Sequence, residues 1–221
     1  MLRNLKIWQK LAIVCLAFSL LVMVMLYLLV AEKNIAIDFA RQEMIGTTYL
    51  PSLRTLLELI PEYGRVTPAK PGRQQDSIAR IDEAFVQLES VDQTHAETLK
   101  TAEKMRALKT EWQELKDSGE KLNPEESAAR LQHLVSSVMG LISLAGDTSN
   151  LILDPDLDSY YVMDSVVIQI PNNQDLLAQV LRAGTSILMR GQLSPDEKTQ
   201  LVVLSGLLKS NVENIGNDLR K

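Results

Sequence analysis

The chain has 221 residues, 46% hydrophobic, 23% charged and only 5% aromatic, with a net charge of −5. Its ten Gly and eight Pro are too few for the turns of an all-β protein of this length, and no block of like charges marks a nucleic-acid-binding surface. The single cysteine, Cys15, lies in an apolar segment, so the remainder has no disulfide, thiol nucleophile or cysteine-based metal site.

Residues 11–31 carry no charge, and only Ser19 among them is plainly polar. As a helix this run spans about 31 Å, close to the hydrocarbon thickness of a bilayer. The residues before it hold Arg3, Lys6 and Lys10 and no acid, whereas Glu32, Lys33, Asp38, Arg41 and Glu43 follow with mixed signs. The cationic bias predicts residues 1–10 in the cytoplasm, a single transmembrane helix over 11–31 and an extracytoplasmic domain over 32–221. Trp8 and Tyr27 fall near the two interfaces. The competing reading is a cleaved signal peptide. The apolar run is longer than the usual region of about 7–15 residues, and Tyr27-Leu28-Leu29-Val30-Ala31 is bulky for a cleavage site, so an uncleaved anchor is expected.

The apolar run passes without a breaker into residues 32–60, where Leu53, Leu56, Leu57 and Ile60 recur at helical spacing, so anchor and first domain helix are predicted to be one rod with a possible kink at Pro51. Pro61, Gly64, Pro68, Pro71 and Gly72 predict a loop. A second helix is predicted from about Asp76 to Asp117. Ile81, Phe85, Leu88, Asp92, His95 and Leu99 form a coiled-coil-like seam that Ala102, Met105, Leu108, Trp112 and Leu115 continue. Asn123-Pro124-Glu125-Glu126 is a capping box that opens a third helix with Leu131, Leu134, Val138, Leu141 and Ile142. Asp154-Pro155 interrupts it. A fourth segment runs to about Arg190 with Pro171 inside, and Ser194-Pro195-Asp196-Glu197 opens a fifth with Leu201, Leu204, Leu208, Val212, Ile215 and Leu219. The predicted fold is all-α: an N-terminal transmembrane helix continuing into an extracytoplasmic helical bundle. The last helix stops at Lys221 in mid-pattern, so the chain is expected to be the front part of something longer or a severely shortened relative.

Catalytic signatures are missing: there is no glycine-rich phosphate loop, no His-x-x-x-His pair and no Gly-x-Ser-x-Gly elbow. Neither His95 nor His133 has a Glu three residues before it, as a di-metal bundle site would require. No enzyme activity, cofactor or metal is expected.

Residues 150–164 read Asn-Leu-Ile-Leu-Asp-Pro-Asp-Leu-Asp-Ser-Tyr-Tyr-Val-Met-Asp. Here the chain resembles the helical periplasmic sensor regions of bacterial methyl-accepting chemotaxis proteins and of related sensor kinases and cyclases. The resemblance extends to the N-terminal anchor and to Tyr49-Leu50-Pro51-Ser52-Leu53-Arg54. It implies the sensor portion of a receptor in the bacterial inner membrane, a homodimer in contact with membrane lipid, with a small polar metabolite as possible ligand. The family's second span, linker domain and signalling hairpin are absent from these residues. The alternatives are a membrane-tethered structural or adaptor protein without a small ligand, or the sensor region of a histidine kinase or diguanylate cyclase.

Two readings of the motif stand side by side. In the first, Asp154 caps a helix, Pro155 starts it, Asp156 and Asp158 suit its dipole, and Leu157, Tyr161 and Ile168 are core. A calcium loop on Asp154, Asp156 and Asp158 fails at its sixth and twelfth positions, which are Ser159 and Ser165. In the second, Asp156, Tyr160 and Asp164 share one helical face and bind an amine, or hold Arg54 or Arg182 against an organic acid. Asp92 and His95 form a polar break in the seam, read as a register-fixing layer or a pH-responsive pair. Both are predicted to face the bundle interior, and replacing both with Leu is expected to leave the domain folded and to raise its melting temperature, because unpaired buried polar groups cost stability.

Overall fold

The computed structural model describes residues 6–65, 71–118, 122–153, 157–218 and 220. These are helical nearly throughout, with no strand among them, as a composition rich in Leu, Ala, Glu and Lys favours. The chain divides into two compact units, Met1–Arg41 and Gln42–Lys221. Helix α1 (Ile7–Arg65) belongs to both and is unbroken at Pro51 and Pro61.

In the first unit α1 is long and apolar enough to cross a membrane, and none of its apolar window is buried. In the second, α1 turns amphipathic. Tyr49, Leu53, Leu56, Leu57 and Ile60 are fully or almost fully buried, at the 3- and 4-residue steps that keep one helical face inward. Buried positions begin at Gly46, within the second unit. The loop expected from Pro61 starts later, because Tyr63 is buried edge-on against Trp112, with ring centroids 5.4 Å apart. That aromatic contact holds one more turn beyond the proline.

The single helix expected from Asp76 to Asp117 is a hairpin. α2 (Pro71–Leu99) and α3 (Ala102–Ser118) are separate helices. A continuous helix would hold Asp82 and Trp112 about 45 Å apart, yet Trp112 Nε1 donates to Asp82 Oδ1 at 2.7 Å and Lys116 Nζ reaches Asp82 Oδ2 at 3.1 Å. Lys109 also pairs with Glu89. The reversal uses a left-handed residue, Lys100 with φ 54°, and Thr101 N–H donates to Ala96 C=O at 3.2 Å, a bond that closes helix ends of this kind. The Thr148 hydroxyl shares its one proton between the Leu144 carbonyl of its own helix at 2.7 Å and the Leu99 carbonyl at 3.0 Å. The two halves of the predicted seam therefore face each other, with Phe85 stacked on Trp112 at 6.3 Å.

α4 (Pro124–Thr148) opens on the expected capping box. Asn123 Oδ1 accepts from Glu126 N–H at 2.8 Å, and Glu126 Oε2 accepts from Asn123 N–H at 3.4 Å. Its Leu131, Leu134, Val138, Leu141 and Ile142 are buried. With α1, α2 and α3 they close one apolar core, joined by Met163 and Val167. After α4 come a 3-10 turn (Leu151–Leu153), α5 (Leu157–Met163), a π turn (Asp164–Gln169) and α6 (Ile170–Arg190). Gly191, at φ 70°, ends α6. A second reciprocal box starts α7 (Pro195–Asp218), with Ser194 N–H donating to Glu197 Oε2 at 2.9 Å. That backbone donor, foremost, holds the Glu197 carboxyl below the usual range. α7 lies against α6. Leu204 is buried but Val212, expected in the same stripe, is 60% exposed, because the seam steps from Leu208 to the half-buried Asn211 and Ile215 instead. Leu219 lies outside the described residues.

Candidate functional site

The motif segment begins where α4 ends. Ser149 N–H closes that helix on Ala145 C=O, and Asn150 follows at φ 63°, a left-handed conformation that Asn tolerates better than most residues. Asn150 Nδ2 bonds Gln42 Oε1 of α1. Gly46 of α1 lies close against this turn: a Cβ placed there would come within 2.6 Å of Leu151 Cδ1.

Asp154, Pro155 and Asp156 lie outside the described residues, as do the side chains of Leu157, Asp158 and Ser159, so the expected cap and Asp156's share of the one-face site are not placed. Tyr160 is 39% exposed and meets Tyr161 edge-on at 5.8 Å. Asp164 is half-buried and accepts from Gln169 Nε2 at 2.8 Å. That partner is five residues away, the spacing a π turn brings together. The expected core position Ile168 is 37% exposed, whereas Met163, Ser165 and Val167 are buried. The buried line already runs through Met163, one residue before the π turn, while Tyr161 is half-buried, so it leaves the expected stripe before the turn begins.

The two candidate arginines are placed separately. Arg54 is half-buried on α1 and makes no hydrogen bond or ion pair with the described residues. One turn further along, Glu58 accepts from Gln174 Nε2 of α6 at 3.3 Å. Arg182 donates to Gln132 Oε1 of α4, and Gln132 Nε2 donates to Asp175 Oδ1 at 3.1 Å. Burial lowers the Arg182 pKa and Asp175 opposes that shift. Arg182 lies 18 residues beyond Asp164 in a continuous helical run, about 27 Å along the axis. It is engaged with α4, away from the motif.

Asp92 and His95 differ in environment. Asp92 is 9% exposed, and its Oδ1 accepts from Tyr49 Oη at 2.8 Å and from Thr101 Oγ1 at 2.5 Å. His95 is half-buried. The break in the seam is therefore a satisfied carboxylate that ties α1 to the α2–α3 reversal. Burial, above all, pushes the Tyr49 phenol well above its usual range. Among the described residues no group of three or more His, Cys, Asp and Glu side chains could hold a metal ion.

Beside the π turn lies a crevice of about 240 Å³, lined by Met139, Ile142 and Ser143 of α4 with Val167, Ile168 and Asn172. Its lining is apolar apart from one hydroxyl and one amide, and carries no charge. Close by in sequence, the buried atoms Ser165 Oγ, Asn173 Oδ1 and Gln174 Oε1 have no hydrogen-bond partner among the described residues. Buried polar groups are ordinarily satisfied, and three orphans within ten residues mark a locally imperfect fit. Reading the sequence pointed to the motif before the turn and missed this stretch, since no residue type announces a π turn. No family model, curated protein or solved structure matches the chain.

Proposed function

We propose that the chain is the sensor portion of a bacterial chemotaxis-type receptor, anchored once in the inner membrane with residues 1–10 inside and a helical bundle outside. The observation that carries this reading is α1 itself, one helix from Ile7 to Arg65, apolar and uncovered over its front and buried by the core over its back. Apolar side chains such as Leu16, Phe18 and Met23, each about two-thirds exposed, favour a nonaqueous surround, and a bilayer supplies one. A core helix of a water-soluble fold would instead have its apolar window covered by the chain.

The mechanism follows from α1 being common to the core and the apolar segment. A ligand that favours one packing of the core shifts the population of α1 positions, and the same helix carries the shift toward the membrane. The crevice beside the π turn is the proposed ligand site. Its uncharged lining suits a small molecule with an apolar body and one hydrogen-bonding end, received by Ser143 and Asn172. A homodimer completes the assembly.

The test is export and anchoring of the full chain. Alkaline phosphatase fused after Lys221 is expected to be active in cells, and the fusion to stay in the membrane after carbonate extraction. An inactive fusion, or one released in soluble form, overturns the reading.

A further inference from the structure

We infer that Leu177, Leu181, Gly184 and Leu188 of α6 form a seam on which a second copy of this chain docks, helix against helix. The inference rests on the membrane anchor within the proposed reading, because the anchor keeps two copies within reach of each other.

α6 meets the rest of the fold on two sides. Pro171 and Ala178 are buried, and Asp175 and Arg182 on the same side bond Gln132 of α4. α7 also lies against α6, and Leu176, Val180 and Ile187 are half-buried. A third side is open. Leu177 and Leu181 are 50% and 48% exposed, and Leu188 is 82% exposed. Between them, a methyl group on Gly184 would meet nothing within 4 Å. These four positions follow one another by steps of 4, 3 and 4 residues, the spacing that keeps one line of a helix turned toward a partner helix. At about 100° per residue, the charged residues of α6, Asp175, Arg182 and Arg190, fall on the far side. Single leucines on a surface are ordinary, whereas a continuous uncharged line of them marks a contact.

A second copy is the occupant that fits. The line carries no charge, so a two-fold axis sets leucine against leucine without opposing like charges. The missing Cβ at Gly184 leaves a recess between Leu181 and Leu188 that receives a leucine of the partner, a knob in a hole. The size of the contact fits as well. At about 30 Å² per side-chain carbon, the three leucines expose roughly 220 Å². A standard interface takes about 800 Å² from each partner, a little over half of it non-polar, so the seam supplies about half of that apolar share. Such a contact is too weak to join copies diluted in water. Two copies anchored in one bilayer meet at a raised effective concentration, and there a weak contact suffices.

The seam is read by cross-linking of the purified full chain in liposomes, in a Cys15→Ser background. Leu177→Cys, Leu181→Cys, Gly184→Cys and Leu188→Cys probe the seam one at a time. Gln179→Cys and Ser186→Cys probe the far side and measure random collision. With a short bismaleimide, the best seam position is expected to give a covalent dimer about fivefold above either far-side position, because only the seam holds residues of two copies in contact. Leu188→Glu alters a side chain that lies mostly in solvent and leaves the fold intact. Combined with the best of the other seam cysteines, it should cut the dimer yield about tenfold, since docking would bury its carboxylate. No dimer, equal yields from the two sides, or a yield that Leu188→Glu leaves unchanged overturns the seam. Seam products together with an inactive but membrane-retained alkaline phosphatase fusion overturn the sensor reading and leave the seam standing. An active, membrane-retained fusion without seam products overturns the seam alone.

Discussion

The buried carboxylate at position 92 allows a prediction whose sign depends on the structure. Asp92→Leu deletes the carboxylate oxygen that accepts from two hydroxyls, those of Tyr49 and Thr101, both 0% exposed. Each hydroxyl left buried without an acceptor costs about 1–3 kcal/mol, together about 2–6. Leucine at this site returns about 1.5–3 kcal/mol through burial of its side chain, and the buried carboxylate no longer has to be desolvated. At the middle of these ranges the two hydroxyls, at about 4 kcal/mol, exceed the leucine gain of about 2 and leave a net loss of about 1–2 kcal/mol. In a domain of this size that lowers the melting temperature by about 2–8 °C. Asp92→Asn keeps an oxygen acceptor and should lose less. The triple variant Tyr49→Phe, Asp92→Leu, Thr101→Val removes donors and acceptor together and should return close to the parent, because a polar cluster replaced whole leaves nothing unpaired. Thermal unfolding of the full chain in detergent, followed by far-UV circular dichroism, decides the matter. An Asp92→Leu chain that melts at or above the parent temperature would refute the reasoning and restore the expectation drawn from the seam alone.

Three further outcomes are open to the same assay. The Tyr49 phenol ordinarily titrates at 10.0 and is held well above that in the fold. Its proton is kept in the folded state and lost in the unfolded state, so stability is full below pH 10 and falls as pH rises beyond it, a decline that Tyr49→Phe should reduce. Gly46→Ala places a methyl group against Leu151 and Ser149 and should cost about 1–3 kcal/mol, as overpacking in a filled core does; an unchanged melting temperature would show that the turn after α4 gives way freely. Asn123→Ala opens the α4 capping box and should cost about 1 kcal/mol, measured as a small drop in melting temperature with helix content unchanged.

Local signals were legible wherever one residue type has one local use. The capping boxes at Asn123 and Ser194 are present as read, because a side-chain acceptor three residues before an acid satisfies helix-end donors whatever surrounds it. The all-α class followed from composition and period, and the stripes Leu53–Ile60 and Leu131–Ile142 are buried as their spacing indicated. The apolar run 11–31 was visible in the same way. Three features were decided by tertiary structure. The reversal at Lys100–Thr101 was hidden because a 3-4 seam reads the same whether it continues straight or folds back on itself. What selects the hairpin is the pairing of Asp82 with Trp112 and Lys116 and the capping of Leu99 by Thr148, contacts 30 or more residues apart in sequence. The partners of Asp92 were hidden for the same reason, since Tyr49 reaches it across 43 residues. The π turn was out of reach because one extra residue leaves the composition unchanged and alters only the phase of everything behind it. Periodicity gives which residues can share a face; which faces meet, and in what phase, depends on contacts that only the folded chain brings together.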